Sequence, residues 1–130
     1  MDRRRKICIV GLGRLGSAYL SFAANKLSAF ELVTGFDSNV NRAEVLSRAG
    51  TVPLYPAYKM AEVIGRFEIE IAVLCVPEEA AQEAAQKCAE SGIRGILNFT
   101  GAVLQLPGGV TVRNISMEDE LQKLLPDFGE

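Results

Sequence analysis

The chain has 130 residues, with 14 Lys and Arg against 16 Asp and Glu and no histidine, for a formal charge of −2 at pH 7. With 48% hydrophobic and 23% charged residues it has the material for a buried core, and its length suits a single domain over residues 1–130. The missing histidine excludes a Ser-His-Asp triad, a His-activated cysteine, and His-ligated zinc or iron.

From residue 6 onward, short apolar runs rich in β-branched residues alternate with longer segments of helical period, the pattern of a parallel sheet with crossover helices. The first strand is Lys6 to Val10, nearly all apolar, and it ends at a glycine-rich turn. A helix follows from Leu15 to Lys26, with Leu15, Ala18, Tyr19, Phe22 and Ala23 as its inward stripe. Leu32 to Phe36 is the second strand, closed by Asp37-Ser38-Asn39, whose short polar side chains favour turns and helix caps. A short helix from Asn41 to Arg48 ends at Gly50, and Val52 to Tyr55 is an edge strand because Pro53 has no N–H to give a ladder. Ala57 to Arg66 is a helix that turns Met60, Val63 and Ile64 inward. Ile69 to Val76 is the fourth strand, broken by Pro77, and the Ala-rich segment Glu78 to Ser91 is a helix with acids in its first turn. Gly95 to Phe99 and Val110 to Arg113 are the last strands, and Ser116 with Asp119 caps a final helix that runs through Leu125. The fold class is α/β, a three-layer, doubly wound parallel sheet of the Rossmann type.

Cys8, Cys75 and Cys88 show no C-x-x-C spacing, so a metal site is not expected and the thiols indicate a reducing, cytoplasmic compartment. The basic start Arg3 to Lys6 leads into an apolar stretch that Gly11, Gly13 and Arg14 interrupt too early for a signal sequence. No apolar run approaches the roughly 20 residues of a membrane helix. A pI of about 5.3 argues against a direct nucleic-acid surface, and the basic start is read as a solvated lead-in to the first strand.

Gly11-Leu12-Gly13-Arg14-Leu15-Gly16 has the form G-x-G-x-x-G, directly after a buried strand and at the opening of a helix. Asp37 stands about 20 residues beyond the third glycine, at the end of the second strand. In this setting Gly11 permits the tight turn, Gly13 lets backbone approach a pyrophosphate, and Gly16 lets helix and strand pack closely. Backbone N–H groups and the helix N-terminus then bind phosphate. Asp37 accepts from an adenosine ribose and repels a 2′-phosphate, which favours NAD(H) over NADP(H). Arg14 is either a phosphate contact or a solvated surface arginine. Val76-Pro77 and Asn98-Phe99-Thr100 close the opposite half of the cleft, near the nicotinamide end. Cys75 lies close by and is read as a small core residue, because no base beside it lowers its pKa. No catalytic residue is assigned: there is no histidine, and no lysine near the nicotinamide end.

Several blocks together resemble the C-terminal domain of the Rex family of redox-sensing transcriptional repressors. They are Ile9 to Gly16, Gly35-Phe36-Asp37, Val73 to Pro77 with Ala81-Gln82, Gly92 to Thr100, and Glu120-Leu121-Gln122. The resemblance is collinear from residue 6 to 125 and implies a homodimeric NADH/NAD+ sensor with the nicotinamides near the dimer interface. It also implies a C-terminal helix exchanged between subunits and membership of the wider group of CoA-binding Rossmann domains. The family's N-terminal winged helix has no counterpart before the first strand in this sequence; if the sequence is the whole gene product, operator contact would require a separate DNA-binding or repressor chain. Gly101 stands where the family has proline after Asn-Phe-Thr, and Ile115-Ser116 replaces an Ile-Asp pair. The functional reading is an NAD(H)-binding regulatory module without turnover. CoA or another adenine nucleotide is the alternative ligand, with a dehydrogenase's cofactor-binding subunit or a domain kept for dimerisation as further alternatives. Asp37→Ala is expected to lower NADH affinity and to spare CoA.

Overall fold

Six short runs that alternate their side chains between two faces build one parallel sheet, in the order β3-β2-β1-β4-β5-β6. The strands are β1 (Arg5–Val10), β2 (Phe30–Asp37), β3 (Leu54–Pro56), β4 (Ile71–Leu74), β5 (Gly95–Asn98) and β6 (Thr111–Asn114). The crossovers are α1 (Arg14–Lys26), α2 (Val40–Ala49), α3 (Met60–Phe67) and α4 (Ala81–Glu90), and α5 (Met117–Gln122) follows the last strand. The computed structural model describes residues 4–49 and 52–129, so the start of the basic lead-in and the expected helix stop at Gly50 lie outside it. The doubly wound α/β class expected from the sequence is the one observed. Strand order reverses between β1 and β4, where Val10 pairs with Leu74 on one side and Phe36 on the other. Such a reversal opens a crevice beyond the carboxyl ends of the strands.

Period-two alternation divides the core. Cys8 and Val10 of β1, with Phe36, Ala72, Leu74 and Ile96, meet Met60, Val63 and Ile64 of α3 and Ala81, Ala85 and Cys88 of α4. Ile7 and Ile9 face the other way, onto Leu20 and Ala23 of α1. On that second face α1 covers β1 and β2, while Ile71, Val73 and Leu97 of the neighbouring strands stay only half-buried. They line an apolar groove of about 430 Å³ together with Tyr19, Phe22 and Phe30.

The inward stripe expected for α1 is therefore corrected in part: Tyr19 and Ala23 pack on the core as expected, and Leu15, Ala18 and Phe22 do not. Leu15 and Phe22 are 45% and 54% exposed and Ala18 is exposed, whereas Gly16, Leu20 and Ala23 are buried. The cause is Gly16, whose backbone lies against Gly11 and Cys75 and so fixes which side of the helix meets the sheet. From Gly16 the buried positions recur at i+4 and i+7.

Element ends moved for local reasons. The fourth strand starts after Ile69 because the Ile69 N–H donates to the Ile64 carbonyl, 3.1 Å, and closes α3, and it ends at Leu74. Entry into α3 and α4 is by single 3-10 turns, Ala57–Lys59 and Glu78–Ala80, rather than by continuous helix. The last helix stops at Gln122 rather than Leu125, because the Pro126 ring would meet the carbonyl of Gln122 in a longer helix. A 3-10 turn, Leu125–Phe128, replaces the missing turn.

Candidate functional site

The loop after β1 is built by two close approaches and one space. Gly11 has φ +96°, and a Cβ there would come within 2.7 Å of the Cys75 carbonyl carbon and the Val76 nitrogen. A Cβ on Gly16 would fall on the carbonyl oxygen of Gly11. A Cβ on Gly13 would meet nothing within 4 Å, so this residue stands beside open space. Gly13 is the N-cap of α1 and offers no side-chain cap, and the first turn holds no acid. The orphan N–H groups of that turn and the positive end of the dipole are thus left to an external acceptor.

Asp37 is not a bare carboxylate at the end of β2. It is 5% exposed, and its Oδ2 accepts from the Leu12 N–H at 2.8 Å and from Arg42 Nη1 at 3.2 Å, while Oδ1 accepts from the Asn39 N–H at 2.7 Å. One side chain therefore fastens the glycine loop, the turn after β2 and the first turn of α2. A carboxylate has about four acceptor positions, so Oδ1 keeps room for one further donor.

The residues proposed from sequence do not all meet. Gly11, Leu12, Gly13, Asp37, Val76 and Pro77 border one cleft of about 510 Å³ at the reversal between β1 and β4. Arg14 borders a second cavity on the outer side of the loop, Leu15 is exposed, and Gly16 is buried beneath the loop. Asn98, Phe99 and Thr100 are absent from the lining of the first cleft. Phe99 turns to the apolar groove and packs on Tyr19, with ring centroids 4.9 Å apart. Asn98, 1% exposed, is held from all sides: its Nδ2 donates to the Ala102 carbonyl and Asn114 Oδ1, both at 2.9 Å, and its Oδ1 accepts from the Thr100 N–H and hydroxyl. Asn98→Ala should cost about 2 kcal/mol in urea unfolding by orphaning these groups. The loop turns at Gly101 with φ +83°, which the proline common in the family at this point cannot adopt.

Sequence reasoning missed Arg42, Lys87 and Glu83, which also border the cleft. Arg42 had one legible signal, its place in the first turn of a helix directly after Asp37. Among the described residues no group of three or more His, Cys, Asp or Glu is placed to hold a metal ion, and no helix is long and apolar enough to cross a membrane.

Cys75 backs the cleft beneath Gly11 and is half-buried, and burial pushes its thiol up to about 11. Burial pushes Cys88 up to about 12, and burial followed by the neighbouring Cys88 raises Cys8 as well. A thiol with a raised pKa contributes stability that is complete below its unfolded value of 9.0 and is lost as pH rises through the folded value. The melting temperature should thus fall between pH 9 and about 12, and less steeply in a Cys75→Ala, Cys88→Ala variant, as thermal melts across that range will show.

The fold is that of a doubly wound α/β domain with a crevice at its strand reversal, and the chain belongs to the CoA binding domain family, whose profile matches residues 2–102. It is similar to Rex repressors. The redox-sensing transcriptional repressor Rex 1 of Enterococcus faecalis is 36% identical over 125 residues, a match that spans 95% of this chain and 56% of that repressor. RSP, a Rex-family repressor, is 28% identical: its crystal structure with beta-NADH superposes with a TM-score of 0.85 over 98% of this chain and 61% of RSP. Its structure with beta-NAD+ and operator DNA gives 0.83 over 98% of this chain and 58% of RSP. The chain thus spans a little more than half the length of the repressors it matches.

Proposed function

We propose that this chain is an NAD(H)-binding, redox-sensing regulatory module that does not turn its cofactor over and acts in the cytoplasm as one domain. The observation that carries the reading is the uncapped, acid-free N-terminus of α1 at the edge of the crevice, beside the space that Gly13 leaves open. A dinucleotide's pyrophosphate would take the N–H groups of that turn. Its adenosine ribose would use the remaining acceptor position of Asp37, and Val76 and Pro77 would border the nicotinamide end. The residues fit the group, since the cleft has the volume of an ordinary ligand pocket. When bound, NADH and NAD+ differ by a hydride on the nicotinamide ring, and that difference is what a sensor reads. RSP has been seen with both forms. In this reading Leu12 and Gly13 hold the phosphates, Arg14 and Gly16 shape the loop around them, and Asn98 and Thr100 set the loop beyond β5 through their mutual hydrogen bonds.

The assembly that fits this surface is a homodimer. Phe22 beside the groove is 54% exposed, and the C-terminal segment leaves Met117, Leu121, Leu124, Leu125 and Phe128 between 41% and 79% exposed. An apolar groove and an apolar helix face on one chain satisfy each other between two copies, which is the helix exchange that the family resemblance implies. The redox signal would pass to a DNA-binding part, in a longer chain or in a separate repressor. Calorimetric titration with NADH, NAD+ and CoA tests the ligand assignment. Tight NADH binding with weaker NAD+ and no CoA heat supports it, and CoA binding alone overturns it. Sedimentation velocity tests the dimer, with Phe22→Asp expected to give monomers.

A further inference from the structure

Two guanidinium groups stand beside the glycine loop and the turn after β2. Arg14 opens α1 and Arg42 lies in the first turn of α2, and with Ser17, Asn39 and Asn41 they border the cavity on the outer side of the glycine loop. No acid lines this cavity. Arg42 also borders the main cleft, so its side chain stands at the boundary between the two spaces. Neither α1 nor α2 has an acid in its first turn, whereas α3, α4 and α5 each have at least one. The end of α2 is capped by Asn39, whose Oδ1 accepts from the Arg42 N–H, so the two arginines and the uncapped end of α1 supply the positive field of this pocket, offset by the one carboxylate of Asp37, on a chain of net charge −2.

An acid at the end of the second strand rejects a phosphorylated ribose through its negative charge. Here that charge is already met by two N–H groups and by Arg42 at 3.2 Å. The Arg42 side chain remains 47% exposed, and a guanidinium has five N–H donors, of which the Asp37 bond uses one. Arg14 is exposed and has no ion pair among the described residues. Planar guanidinium groups bind phosphate oxygens in pairs of hydrogen bonds.

We propose that Arg14 and Arg42 form a second anion subsite, which receives a phosphate on the 2′-position of the adenosine ribose, so that the cleft takes NADP(H) as well as NAD(H). This rests on the dinucleotide reading above and departs from the expectation that Asp37 favours NAD(H) over NADP(H). The test is calorimetric titration of the full chain, and of its Arg14→Gln and Arg42→Gln variants, with NADH, NADPH and CoA, after thermal melts have shown that each variant is folded. The subsite predicts an NADPH Kd within about tenfold of that for NADH in the unaltered chain, and a ratio that shifts about tenfold against NADPH in each variant, the loss of one charge-assisted contact. An unaltered chain that binds NADPH more than about a hundredfold more weakly than NADH, or a ratio that neither variant moves, overturns the subsite. CoA carries its ribose phosphate on the 3′-position. Loss of CoA affinity in both variants without loss of NADPH affinity overturns the 2′ assignment. Binding of NADPH without NADH overturns the NAD(H) reading and leaves the subsite standing, and no binding of either overturns both.

Discussion

Gly16→Ala should leave the loop and α1 unable to keep their native arrangement. The added methyl carbon would fall on the Gly11 carbonyl oxygen and within 2.8 Å of its carbon, and neither atom has a flexible side chain with which to yield. Gly11 is itself pressed on Cys75 and Val76, so the collision passes into the end of β4. A cost above about 4 kcal/mol is expected, a large share of the roughly 5–15 kcal/mol by which an ordinary domain is stable. Gly13→Ala is the informative partner. Its methyl meets nothing within 4 Å, and φ is −73°, so the fold should hold to within about 1 kcal/mol. NADH affinity should nevertheless drop, because the methyl takes the space through which a pyrophosphate approaches the backbone. Urea unfolding together with NADH titration separates the two effects. A stable Gly16→Ala protein with unchanged affinity would refute the packing role.

Asp37→Ala should cost about 3 kcal/mol and weaken every ligand of the glycine loop. The substitution orphans the Leu12 N–H, on a residue only 1% exposed, and the Asn39 N–H, and it leaves Arg42 without its acid. The expectation that CoA would be spared fails on this geometry, because the same carboxylate that faces a ribose also holds the loop in place. Asp37→Asn should cost less, since one oxygen still accepts while the amide NH2 confronts an N–H. Chemical denaturation of both variants, with NADH and CoA titrations beside it, gives the result. An unfolding midpoint unchanged in Asp37→Ala would show that these bonds contribute nothing.

The sheet was legible because fully buried strands are written as continuous apolar runs, and because a glycine-rich turn between strand and helix has few other uses. The rotation of α1 was not legible. Leu15, Ala18 and Phe22 keep as good a helical period as Gly16, Leu20 and Ala23, and only the backbone contact between Gly16 and Gly11 decides between the stripes. Asn98 shows the converse difficulty. A polar residue at the carboxyl end of a central strand reads as a ligand contact, and its real partners, Thr100, Ala102 and Asn114, are set by how the following loop folds back. Arg42 escaped notice because a surface arginine on a polar helix is commonplace, and its bond to Asp37 exists only once Asn39 has capped α2 through the Arg42 N–H at 3.0 Å.

The half-covered face of β4 and β5 also bears on how the stability of this protein can be expressed at all. If a second copy closes that face, folding and association share one equilibrium, and dilution acts on the chain as a denaturant would. Its melting temperature is then a property of a solution at a stated concentration, rising as the protein is concentrated, and a single unfolding free energy measured on dilute samples would understate the molecule as the cell holds it.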